Sequence, residues 1–237
     1  MPSIMADDPI LRNAVSIGVA TAVYAVSFGV LSVGAGFSVA QTCVMSLVCF
    51  TGASQLTFVS VIGAGGGVAG ALPPAALLAG RNALYALSLK GVLSGTVRTR
   101  ALRAQFVVDE TTAMAHAQST VAATRRAFDL TALCLFTAWN IGTLVGAVAG
   151  RGLGNPRDYG LDAVFPAVFL ALLAPQLRGP DAMRAAIAGV LIALALVPIA
   201  PAGVPIIASA VGAVPVLVAA GRRRSRIAPA QAPEAGR

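Results

Sequence analysis

Two short polar groups stand inside apolar surroundings: Phe50-Thr51-Gly52-Ala53-Ser54-Gln55 and, some 25 residues later, Gly80-Arg81-Asn82. Their types suit the binding of a small polar head group. A helix that breaks at Gly52 and restarts near Ser54 aims the positive end of its dipole, with free backbone N–H groups, at an anion such as a carboxylate. Arg81 adds a planar fork matched to a carboxylate, and Asn82 both donates and accepts. The plainer alternatives are a break whose Ser54 and Gln55 are satisfied locally, and an interhelical pair that holds Arg81 for structure alone. Trp139-Asn140 repeats the pattern in a later apolar run, either as a packed Trp beside a satisfied Asn or as a cavity wall. Asp109-Glu110 lie among Phe106, Val107, Val108 and Met114. Simple solvation is one reading of these acids; the other is a gate at the membrane face, or a partner for Arg81 or Arg103.

The elements that must position these groups follow from composition. Residues AVILMFWYC make up 57% of the 237-residue chain, charged residues 11%, and the mean hydropathy is +0.82. Soluble domains are nearer 45–50% apolar and about 25% charged. The expectation is an all-α, polytopic integral membrane protein with about six to eight transmembrane or re-entrant helices, some of them discontinuous. Apolar runs cover residues 14–37, 39–72, 73–97, 128–150, 162–177, 183–200 and 203–220. The second is too long for one straight span and is interrupted at 51–55 and 63–67. Pro73-Pro74 opens the third, in which Lys90 reaches toward the aqueous end. One transmembrane transporter domain is expected over 14–220, after an N-terminal segment, 1–13, and before a basic disordered tail, 221–237. Gly142, Gly146 and Gly150 recur every fourth residue, as do Gly63/Gly67 and Gly66/Gly70, spacings that let helices approach closely in lipid.

The net charge of +8 points to membrane orientation, with no nucleic-acid partner. Arg98, Arg100, Arg103, Arg125 and Arg126 gather in a polar connector, 98–126, and Arg222, Arg223, Arg224 and Arg226 in the tail. Arginines flanking apolar runs mark cytoplasmic segments, so connector and tail are placed inside the cell and the lipid bilayer is the first partner. No cofactor and no metal site is expected. Cys43, Cys49 and Cys134 show no ligand spacing and read as small packing residues. His116 stands in polar surroundings without a metal partner. Gly65-Gly66-Gly67-Val68-Ala69-Gly70 has the letters of a dinucleotide fingerprint but no strand before it. No phosphate loop occurs. An enzyme is not expected, because Ser54 has no base within reach of its sequence context and Asp129 and Asp162 fall at span ends.

The chain resembles the AzlC family, the large subunit of bacterial branched-chain amino-acid exporters. The likeness rests on Phe50-Thr51-Gly52-Ala53-Ser54-Gln55, Arg81-Asn82 with Tyr85 one turn later, Asp109-Glu110, and Trp139-Asn140-Ile141-Gly142-Thr143. It implies export of valine, leucine, isoleucine or similar small amino acids across the bacterial plasma membrane. It also implies a small hydrophobic partner of the AzlD type. On that reading Gly52, Ala53, Ser54, Gln55, Arg81, Asn82, Trp139 and Asn140 are candidates to bind the amino-acid substrate. Phe50 and Phe58, with Trp139, are candidates to enclose its apolar branch, and Asp109 and Glu110 to gate or couple. A channel or permease for another small metabolite, and a membrane scaffold that transports nothing, are the competing readings.

Overall fold

The computed structural model describes residues 8–152 and 173–227, with 160, 163, 167 and 170 between them. The regular elements among the described residues are all helical. They are α1 (Pro9–Gly34), α2 (Val39–Val48), α3 (Ala53–Gly63), α4 (Gly67–Ser88), α5 (Val97–Ala104), α6 (Asp109–His116), α7 (Val121–Gly150), a 3-10 turn (Ala174–Arg178), α8 (Pro180–Leu196) and α9 (Val204–Ile227). The chain divides into two compact units, Met1–Val168 and Phe169–Arg237.

The first unit is built on α1 and α7, both long and apolar enough to cross a membrane. They run parallel. Ala22 lies against Gly142, Val26 against Gly146 and Val30 against Gly150, so the register is constant. A Cβ on Gly142 would stand 2.5 Å from the Ala22 carbonyl oxygen, and one on Gly146 would overlap the Val26 carbonyl. Gly29 answers from the other side, against the Thr143 carbonyl. Between helices in lipid there is little hydrophobic drive for association, and backbone-to-backbone packing of this kind is what supplies attraction there. Outward faces stay apolar, as at Val19, Val23, Ile141, Leu144 and Val148. Of the earlier glycines spaced by four, Gly63 lies against the Ala35 side chain, 3.4 Å from a Cβ built there, while Gly67 has open space. Gly65 and Gly67, at φ +82° and +60°, have nothing within 4 Å of a Cβ and serve the turn between α3 and α4.

That turn also corrects the third apolar run. It lets α4 begin at Gly67, so Pro73 and Pro74 lie inside the helix and do not open it. The helix ends at Ser88, and Lys90 is exposed in the turn beyond. The connector, 98–126, is largely helical. Thr96 caps α5 and Thr120 caps α7 by accepting amide protons three residues on, at 3.3 and 3.2 Å. The Val108 N–H reaches Thr111 Oγ1 at 3.1 Å at the head of α6.

The arginines tie this end together. Arg103 grips Asp129 through Nε and Nη2, at 3.0 and 2.8 Å, and donates to the Val92 carbonyl. Arg125 bonds the Gly91 carbonyl and Ser94 Oγ. Arg126 pairs with Asp8, the residue that N-caps α1. The Arg126 guanidinium holds the Asp8 carboxyl below its ordinary value of 3.8, with the Leu11 and Ile10 amides assisting. A depressed carboxyl contributes stability that is present above that ordinary value and lost as pH falls through the folded one. Thermal melts in detergent should therefore weaken on acidification below about pH 4, and Asp8→Asn should remove that component of the pH dependence.

In the second unit α8 packs along α9, with Gly189 facing Ser209 and Gly212 facing Ile192. These helices match the runs expected at 183–200 and 203–220. Half of the run expected at 162–177 lies outside the described residues. Helix α9 continues to Ile227, into the stretch expected to be disordered; residues 228–237 are not described.

Candidate functional site

Helices α2 and α3 form a short hairpin. It starts four residues after α1 and ends with Gly63 against Ala35, near the same end of α1. Phe37 and Phe58 meet across its mouth at 6.1 Å. Its tip is the expected break. Gly52 has φ +56°, a left-handed conformation that glycine adopts without the Cβ penalty. Gln55, 2% exposed, straps the tip: Nε2 donates to the Met45 carbonyl at 3.0 Å, and Oε1 accepts from the Gly52 N–H at 3.1 Å. The Thr51 and Ser54 hydroxyls bond each other. Gln105, from the segment joining α5 to α6, donates to the Val48 carbonyl at 2.6 Å. Phe50 packs with Phe106 and Phe136, ring centroids 5.2 to 6.0 Å apart.

Beside the tip lies a cavity of about 370 Å³, walled by Met45, Cys49, Thr51, Ser54, Gln55 and Phe58 and by Leu72, Ala75, Ala76 and Ala79 of α4. The volume is within the range of small-ligand sites, and the chemistry, apolar walls with a few polar atoms, is typical of them. No side chain caps α3 through its N-cap residue, so the amides of its first turn have no intrahelical partner. Of the sequence candidates, Ser54 and Gln55 line this space, with Phe58 as an apolar wall.

The others are elsewhere. Arg81 Nη2 lies 2.5 Å from Asp109 Oδ2, with about a third of each side chain exposed (32% and 28%). Of the two acids offered to Arg81 and Arg103, Asp109 goes to Arg81, while Arg103 takes Asp129. Arg81 Nε and Asn82 Oδ1 are buried without a partner. Trp139, 2% exposed, stacks on Phe28 at 5.6 Å and meets Tyr24 edge-on at 5.4 Å; its Nε1 is unpaired. Gly52 faces this ring, 3.8 Å from its edge to a Cβ built there, while Ala53 is buried in the first turn of α3. Asn140 is a structural bridge. Its Oδ1 accepts from Ser46 Oγ and its Nδ2 donates to the Phe136 carbonyl, both at 2.8 Å, and Ser46 also reaches Thr143 at 3.2 Å. Its Oδ1 thus ties α2 to α7, while its Nδ2 is spent on the carbonyl one turn back on its own helix. His116 is exposed and bonds Ser88 Oγ at 2.9 Å.

Sequence reasoning missed Met45, Cys49 and the far wall, Leu72, Ala75, Ala76 and Ala79. Small residues carry no chemistry to flag them. The helical spacing of the three alanines, one face of α4, was the available sign.

A family model described as AzlC protein matches residues 16–153. The chain is also similar to an "Uncharacterized membrane protein" of Archaeoglobus fulgidus, 32% identical over 181 residues that cover 72% of this chain and 75% of that protein. No solved structure matches. The matched span runs from early in α1 to just past α7, and so contains the hairpin, the cavity and the Arg81–Asp109 pair: the chain belongs to the AzlC family of membrane transport proteins.

Proposed function

We propose that the chain is the large subunit of an exporter of branched-chain or similar small hydrophobic amino acids in the bacterial inner membrane, working with a small AzlD-type membrane subunit. The cavity beside the α2–α3 tip is the observation that carries this reading. Its apolar walls suit a branched side chain, and the open amides of the α3 first turn, with Ser54, suit a carboxylate. Arg81 and Asn82 stand outside the cavity wall, so their part in binding is to receive the substrate's charged end as it moves along α4. Asp109, held by Arg81, gates that movement.

The connector and the N-terminus of α1 share one end of the bundle, through Asp8–Arg126. With the arginines inside, by the charge bias that orients membrane proteins, α1 enters from the cytoplasm and α7 does likewise. Helices of 10 and 11 residues rise about 15 Å each, half of a bilayer core of about 30 Å. The α2–α3 hairpin is therefore re-entrant from the outside, and α4 is the crossing that returns the chain to the cytoplasm.

The test is efflux of valine from cells preloaded with a valine-containing dipeptide. Export should require both the chain and its small partner. Ala75→Phe fills the cavity with a ring that the open site accommodates, so membrane levels should hold while efflux is lost. Normal efflux from that variant would remove the cavity from the path. No efflux in any arm would remove valine, and a screen of other small metabolites would then separate a different substrate from a scaffold.

A further inference from the structure

The hairpin tip is gripped from two directions, and the two grips differ in kind. On the α7 side Ser46 reaches Asn140 and Thr143 at 2.8 and 3.2 Å, and both Ser46 and Thr143 are fully buried. On the connector side Gln105 Nε2 donates to the Val48 carbonyl at 2.6 Å, across 57 residues of chain. Gln105 is exposed, so water competes for both partners of this bond. The carbonyl is one of the last four of α2, which have no intrahelical partner. It belongs to the peptide joining Val48 to Cys49, and Cys49 lines the cavity. The residues after Gln105 extend the contact. Phe106 stands edge-on to Phe50 and Phe136, with ring centroids at 6.0 and 5.3 Å, and Val108 is buried in one cluster with Phe50, Leu56 and Trp139. Thr111 Oγ1 fixes the shape of this stretch by donating to the Phe106 carbonyl at 2.7 Å. Upstream, Arg103 anchors it to Asp129 and to the Val92 carbonyl. Residues 104–108 are thus fixed at both ends and rest on the tip between.

We propose that residues 104–108 are a cytoplasmic latch on the re-entrant tip, and that the Gln105–Val48 hydrogen bond is the catch that opens. Resting on the exporter reading and its orientation, this stretch stands between the cytoplasm and the tip. Loss of the catch frees the Val48–Cys49 peptide and admits cytoplasmic water, and with it substrate, to the cavity at Cys49. Remaking the catch closes that route while substrate leaves outward. A buried bond such as Ser46–Thr143 could not serve, because breaking it strands polar groups away from water. Gln105 is placed to exchange the carbonyl for water and return, and the Phe106 ring gives the latch a seat on Phe50 to return to.

The experiment uses native membrane vesicles, inside-out and right-side-out, carrying the full chain and its small partner. It reads the rate at which a membrane-impermeant maleimide labels Cys49, with Cys49→Ser supplying the background from Cys43 and Cys134. Gln105→Glu keeps the length of the side chain but sets an acceptor against the Val48 carbonyl, and the exposed position should leave the fold intact. Labelling of Cys49 from the cytoplasmic face should rise about three- to tenfold in this variant, the worth of one exchangeable hydrogen bond. Gln105→Lys, which retains a donor, should stay near the wild-type rate. No rise in Gln105→Glu, a rise confined to the outer face, or an equal rise in Gln105→Lys overturns the proposal. Excess valine at the cytoplasmic face should slow the labelling of Gln105→Glu by occupying the cavity. A rise that valine does not slow upholds the latch and defeats the amino-acid reading instead.

Discussion

Gly146→Val should leave no folded protein in the membrane. The new side chain would have to occupy the position of the Val26 carbonyl, and backbone cannot step aside as a flexible side-chain end can. Overpacking of an ordinary core costs about 1–3 kcal/mol. Here the clash is with main chain in the seam that organises the unit, so the upper end of that range or beyond is expected. Comparison of membrane-extracted protein by fluorescence-detected size exclusion would measure it. Gly80→Ala, with nothing within 4 Å of the new methyl, is the control and should behave as wild type. Recovery of monodisperse Gly146→Val at wild-type level would show that α1 and α7 are not packed in this register.

Gln55→Leu is the second large effect. The side chain is buried and spans the break, bonding the Met45 carbonyl on one side and the Gly52 amide on the other. Leucine keeps the volume and strands both backbone groups. A buried group left without its partner costs about 1–3 kcal/mol, and at membrane depth water is scarce. The variant should melt earlier by an amount corresponding to about 2–4 kcal/mol, and its cavity should lose substrate affinity with the shape of the tip. Gln55→Glu, which keeps the acceptor for Gly52 but not the donor to Met45, should fall between. Equal melting of wild type and Gln55→Leu would mean that the strap contributes nothing.

These two cases also divide what could be read from the chain and what could not. The hairpin tip was legible because a glycine, two hydroxyls and an amide crowd into an apolar run, and few conformations accommodate that. The glycine spacing on α7 was legible for the same reason of chemistry: only close approach explains it. Sequence allows Asp109 to pair with Arg81 or with Arg103, and only distances decide for Arg81. Asn140 shows the limit. Its partner Ser46 lies 94 residues away, and nothing in either residue's neighbours announces the other, so a structural bridge was indistinguishable from a cavity wall. The α4 start was misread because Pro73-Pro74 looks like a helix opening, whereas the Gly65 and Gly67 turn had already set the helix running. The structure does not bring Arg81 and Asn140 to the cavity that Ser54 and Gln55 line. Residue type placed each of them at a polar position inside the bundle, but only packing separates a cavity, an ion-pair cluster and a bridge.

The parallel seam between α1 and α7 has a consequence for how the protein is made. Residues that touch, such as Val26 and Gly146, are separated by 120 positions of chain. The first helix leaves the ribosome long before its partner exists. During that interval the groove at Gly18 and Gly29 faces lipid or the insertion machinery, and Asp8 has no Arg126 to hold. The first unit therefore closes late, in one step, when α7 arrives. A chain interrupted anywhere before α7 is complete would be left with an open seam that quality-control proteases can recognise.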